Sequence, residues 1–258
     1  MTVAHSAIDI ASRDALAELL LSVADDEFVI GFWDSEWTGI APMLEEDVAT
    51  SSIAQDEIGH ARALYELLAE LTDDDADRIA YGRAPADFRH AALLNHARGD
   101  WAFSVARRYL YETADAVRLA TLASSSYEPL AALAGKMRRE ETYHLLHADA
   151  WLRRLAEAGP ETRERLAAAL RTLWPDAHEV FAPLAAEDVL VRDGFLPQPT
   201  DALHAHWQRQ VRPIVEPITG ALPDAGPTVE GRRRRTEDFA WLHGELTSVA
   251  RTEAGAIW

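Results

Sequence analysis

Glu-x-x-His occurs twice in this chain, as DEIGHAR with Glu57 and His60 and as REETYHLL with Glu141 and His144, and both positions repeat at an offset of 84 residues. Three residues is close to one helical turn, so each carboxylate and imidazole lie on one side of a helix and can reach one point. A single copy is weak, because among so many Glu and ten His one such pair arises by accident. Two copies, each late in a pair of long helical segments, constrain the fold much more. They fit a four-helix bundle whose site is built from inward-facing side chains.

The rest of the chain agrees with an all-α fold. Ala, Leu and Glu dominate, and Gly and Pro fall mainly between periodic stretches. A first helix is expected to start near Ser12, capped by its hydroxyl, and to end before Gly39 and Pro42. The second runs from about Met43 to Leu71, and the third starts behind Asp100 as its cap. The fourth runs from about Pro129 to Ala158, ahead of Gly159 and Pro160. Beyond lie ETRERLAAALRTLW, a turn at Pro175, helices near 176–193 and 201–219, and a last helix through TEDFAWLHGELTSVARTEA. The reading is one helical domain over 1–258, with a core four-helix bundle at about 12–158 and a helical extension at about 160–258.

Composition excludes several chemistries. With no cysteine there are no disulfides, zinc–thiolate sites, iron–sulfur clusters or thiol catalysis. A net charge of −18 argues against nucleic-acid binding, which needs clustered Lys and Arg. The one basic run, Arg232–Arg235 in GRRRRTED, reads as an exposed loop before a helix, or as a docking patch for an acidic partner or a phosphorylated ligand. No stretch has the roughly 18–20 apolar residues of a membrane helix, and MTVAHSAIDIASRD lacks the features of a secretion signal, so the expected location is the cytoplasm.

A dinuclear site in such a bundle takes a carboxylate from each of two helices and Glu-x-x-His from each of the other two. In the first helix the candidates are Asp34 and Glu36 of FWDSEW. In the third, YLYETAD offers Glu112, with Asp115 one turn on. The set Asp34, Glu57, His60, Glu112, Glu141 and His144 gives four carboxylates and two imidazoles, a donor set suited to iron or manganese. Glu36, Glu45, Glu46, Asp47, Asp56 and Glu140 read as surface charges. His147 reads as an ordinary satisfied histidine, and Phe28, Phe32, Trp33 and Trp37 as core or as a contact between subunits.

On these residues the chain resembles the phenylacetic acid catabolic family, the ferritin-like subunits of phenylacetyl-CoA 1,2-epoxidase. EWTGIAP followed by EEDVATSSIAQDEIGHARALYELL is similar to the first two core helices of that family, and RRYLYETAD and KMRREETYHLLHADAWLRRL to the third and fourth. The end, RTEDFAWLHGEL running to Trp258, is similar to the C-type subunit. In that family the di-iron centre belongs to the A-type subunit, which also binds the CoA thioester, while the C-type subunit is its structural partner with a degraded ligand set. Here the tail is C-type while the ligand positions look intact. By this resemblance Asp34, 23 residues before Glu57, stands for a family Glu, and Glu112, 29 before Glu141, for a family Asp.

The resemblance implies one component of an oxygenase that epoxidises the ring of phenylacetyl-CoA with O2, partnered by a homologous A-type catalytic subunit. Di-iron is the implied cofactor, manganese the alternative, and a metal-free state a third option. Electrons are expected from an external reductase, because neither a dinucleotide-binding Gly motif nor cysteines for a cluster are present. Acyl-CoA contact with this chain and homo-oligomer formation are further options. The competing readings are a stand-alone ferritin-like di-iron or di-manganese oxidase or peroxidase, which would act without a partner, and a metal-free scaffold.

Overall fold

The computed structural model describes residues 8–252, so the terminal Trp258 lies outside the described residues. Four long helices carry the fold: α1 (Ile10–Ser35), α2 (Leu44–Thr72), and, after the short α3 (Ala76–Tyr81), α4 (Trp101–Leu122) and α5 (Glu128–Glu157). They are followed by α6 (Pro160–Ala177), α7 (Glu187–Arg192), α8 (Thr200–Thr219), α9 (Glu237–Leu246) and α10 (Ser248–Thr252). No strand occurs among the described residues. Helix α1 packs along α2, and α4 along α5. The α2–α5 contact joins the two hairpins, while α6 and α8 cover α4.

Capping explains most of the boundaries. Asp100 accepts the Phe103 amide at 2.9 Å to start α4, and Pro160 occupies the first turn of α6, where its missing N–H costs nothing. Two expectations are corrected. Asp9, not Ser12, caps α1 by accepting the Ser12 amide at 3.0 Å, while the Ser12 hydroxyl bonds Asp9 and Asp193. Pro175 makes no turn, because α6 runs through it to Ala177. The stretch after it then holds only a 3-10 turn at His178–Phe181 and the short α7, rather than a helix over 176–193. The last helix is also divided, since α9 ends at Leu246 and α10 starts at Ser248.

Helix α1 is buried nearly all round. Phe28, Trp33 and Trp37 are core residues, and Phe32 packs against that core. At Gly31 helices α1 and α2 approach closely. A Cβ there would stand 2.8 Å from Ile58 and 3.0 Å from the Cβ of Glu57, so only glycine lets Glu57 lie this near α1. The basic run is a loop that is exposed only in part. Arg232 is buried, binds Asp26 through both terminal nitrogens, and donates to the carbonyls of Ser22, Arg89 and Val180. Arg235 donates to the carbonyls of Phe88, His90 and Arg232, whereas Arg233 and Arg234 are exposed. The run fastens the C-terminal segment to α1, because a buried aspartate needs a cation and carbonyls at loop ends need donors.

Candidate metal centre

The four long helices bring Glu27, Glu57, His60, Glu112, Glu141 and His144 together, all buried. They form two overlapping groups, Glu27–Glu57–His60–Glu141 and Glu57–Glu112–Glu141–His144, and within each the ligand atoms lie within 4.8 Å of one another. Glu57 and Glu141 belong to both. Glu57 sends Oε1 to 3.4 Å from His144 Nδ1 and Oε2 to 3.8 Å from His60 Nδ1. Oε1 of Glu141 lies 3.3 Å from His60 Nδ1 and 3.2 Å from His144 Nδ1.

Five of the six residues expected from the sequence are therefore neighbours. Asp34 is the exception: it lies outside both groups, and its carboxylate is held by the guanidinium of Arg108. Its place on α1 is taken by Glu27, two helical turns earlier. Sequence spacing held the signal, because Glu27 precedes Glu57 by 30 residues and Glu112 precedes Glu141 by 29, whereas Asp34 precedes Glu57 by 23. Glu36 and Asp115 are not among the grouped residues either. Asp115 is paired with Arg118, and His147 with Glu46 at 2.7 Å.

Two residues expected to be plain surface charges orient the histidines. Glu140 of α5 stands 2.8 Å from Nε2 of His60 on α2. Asp56 of α2 stands 3.3 Å from Nε2 of His144 on α5. The exchange is reciprocal, each helix bracing the histidine of the other from the outside. It turns both Nδ1 atoms inward, as a carboxylate behind a metal-binding histidine does.

The interior is short of positive charge. Burial pushes the Glu27 carboxyl well up, helped by Asp115 and Glu57, and burial pushes Glu112 well up, helped by Glu141. Burial also opposes ionisation of Glu57, but the neighbouring imidazoles of His144 and His60 and the charge of Arg108 hold it well below the usual range. Burial disfavours charge on His144, yet Glu141 and Glu57 raise it to about 10. Glu57 Oε2, Glu112 Oε2, both carboxylate oxygens of Glu141 and Nδ1 of His144 are buried without a hydrogen-bond partner. Unpaired buried acceptors are costly, and a divalent cation would satisfy this set at once. The buried Glu/His cluster can bind a metal, and oxygen and imidazole donors without thiolate suit iron or manganese.

Residues 1–258 match the sequence profile of a family described as phenylacetic acid catabolic protein. The chain is 27% identical to the C subunit of 1,2-phenylacetyl-CoA epoxidase from Escherichia coli (strain K12) over 246 residues, covering 94% of this chain and 99% of that one. It is 26% identical to the A subunit of the same epoxidase over 176 residues, 67% of this chain and 56% of the relative.

Proposed function

Since the chain belongs to the phenylacetic acid catabolic protein family, we propose that it is the C-type subunit of a phenylacetyl-CoA epoxidase that works beside a homologous A-type catalytic subunit. The observation that carries this reading is similarity to the C-type relative along nearly the whole of both chains. The A-type relative shares a shorter stretch, in keeping with a common ancestor and divided labour. Exposed apolar residues support a partner: Leu44 and Val48 on α2 and Tyr143 and Leu146 on α5 stand on the two helices that join the hairpins.

The buried cluster is proposed to hold a carboxylate-bridged dinuclear centre, with iron the first candidate and manganese the second. Glu57 and Glu141 would be shared between two positions, Glu27 and His60 would complete one, and Glu112 and His144 the other. When bound, such a centre supplies O2 activation for inserting one oxygen atom into the aromatic ring of the acyl-CoA. The residues of the chain do the rest. Glu140 and Asp56 fix the imidazoles, and Tyr111 donates its hydroxyl to Glu27 at 2.7 Å. The close α1–α2 approach at Gly31 sets Glu57 against α1. Electrons would come from an external reductase, since the chain has no cysteine and no nucleotide-binding Gly motif.

Elemental analysis after anaerobic ferrous or manganous loading tests the centre, with Glu57→Ala/Glu141→Ala as the comparison. Metal retained by the wild type and lost in the variant is the expected result. Wild-type metal no higher than the variant leaves a scaffold protein. Co-expression with an A-type subunit tests the partner reading. A tight complex is expected, and peroxide or ferrous oxidation by the isolated chain would instead favour a stand-alone oxidase.

A further inference from the structure

The two halves of the cluster have different cations beside them. In the α4–α5 half, the Arg108 guanidinium binds Glu112 and Asp34, and its Nη1 lies 3.2 Å from Oε1 of Glu57. That same oxygen faces Nδ1 of His144. Arg108 therefore already occupies two of the four groups that would surround an ion in this half, and it is itself almost fully buried. In the α1–α2 half the corresponding cation, Arg118, stands 3.4 Å from Glu27 and directs its closer bonds to Asp26 and Asp115.

We infer that Arg108 is an internal cation that competes with metal for the Glu112/His144 half, so that the chain fills the Glu27/His60 half first and the second only weakly. This rests on the metal reading proposed above. A guanidinium cannot deprotonate at ordinary pH, so it cannot yield its charge when an ion arrives. It can only withdraw toward Asp34 while staying close to the new ion, and two like charges in a buried space repel strongly. Arg108 is thus a positioning residue: it sets the order and affinity of loading without itself binding metal.

Titration of the metal-free full chain with Mn(II) tests this, read by bound manganese after desalting and by electron paramagnetic resonance. The wild type should take one ion with an isolated Mn(II) spectrum and a second about tenfold or more weakly. Arg108→Met should take two ions of similar affinity and show the spectrum of a coupled pair. Arg108→Lys, which keeps the charge, should behave as the wild type. Should Arg108→Met fail to fold, Arg108→Gln removes the charge and keeps a donor, with the same two-ion outcome expected. Two equally tight ions in the wild type, or a neutral variant that loads like the wild type, would overturn the role of Arg108 and leave the metal reading standing. No ion in any form would remove both.

Discussion

The α1–α2 hairpin and the α4–α5 hairpin contribute the same inventory to the buried cluster, one carboxylate plus Glu-x-x-His, at nearly the same spacing, yet their surroundings differ. Gly31 lets α1 close onto α2 at Glu57, and Asp25, Asp26 and Glu27 are all fully buried behind it. Their charges are met by a web of arginines drawn from α4, the α3 loop and the C-terminal run: Arg118, Arg83 and Arg232. The α4–α5 hairpin has no such web. Its carboxylate Glu112 shares Arg108 with Asp34 and Glu57. In the first half the closer bonds of the cations go to acids outside the ligand groups, with Arg118 3.4 Å from Glu27, while in the second Arg108 sits on Glu112 and Glu57. A repeated ligand pattern does not make two equivalent sites, because affinity depends on what else the ligands touch.

The largest expected effect separates the two arginines. Arg118→Met strands Asp115 in the interior and leaves Asp26 with Arg232 as its only arginine, and breaking a buried ion pair in this way costs about 3–5 kcal/mol. Chemical denaturation of the metal-free chain should show that loss, and saturating Mn(II) should not restore it, since Asp26 and Asp115 lie outside the ligand groups. A variant whose stability recovered fully with metal would mean that Arg118, like Arg108, stands in for an ion.

Much of this was legible beforehand, and the gaps have physical causes. The four long helices follow from apolar periodicity and from Asp100, Gly159 and Pro160 at their ends. Glu57, His60, Glu141 and His144 follow from intrahelical spacing, which sequence records directly, and Glu112 from the need for a carboxylate on the third helix. Glu27 was hidden by its neighbours, because Asp25-Asp26-Glu27 in a row looks like a solvated face. Only the arginines from distant segments explain how three acids can be buried together. Asp34 was attractive for its aromatic setting, which in fact encloses an ion pair with Arg108. Asp56 and Glu140 were unreadable for another reason: each serves a histidine on the other helix, 88 and 80 residues away in sequence.

Those two carboxylates give the next test. Both are partly exposed, so Asp56→Asn and Glu140→Gln should leave folding almost unchanged. Losing a carboxylate behind a metal-bound histidine lowers affinity by about 10–100-fold. If the halves are unequal as argued, Glu140→Gln, which releases His60, weakens the first Mn(II) to bind. Asp56→Asn, which releases His144, spares the first ion and weakens the second. Equal losses on the first ion from both substitutions would show that the halves share one ion symmetrically.

The smallest effect concerns the cover over α4, where α6 and α8 meet in an aromatic layer rather than a web of charges. Trp174 and Trp207 stack at 5.4 Å, and Trp207 donates its indole N–H to Thr113 of α4 at 2.9 Å. His178 is enclosed there, its Nδ1 2.6 Å from Nε2 of His204. Burial, with His204 and Arg212 nearby, pushes His178 from the ordinary imidazole value of 6.5 down to about 3. The unfolded chain therefore binds a proton that the folded chain refuses between those values, and stability falls as pH drops below 6.5. At about pH 5.5 the loss from this group is about 1.3 kcal/mol relative to neutral pH. His178→Gln should lower stability at neutral pH but flatten this part of the pH dependence, measured by urea denaturation across the range. An unchanged slope would mean that His178 charges within the fold, and that α4 is covered by a titrating layer instead of a neutral one.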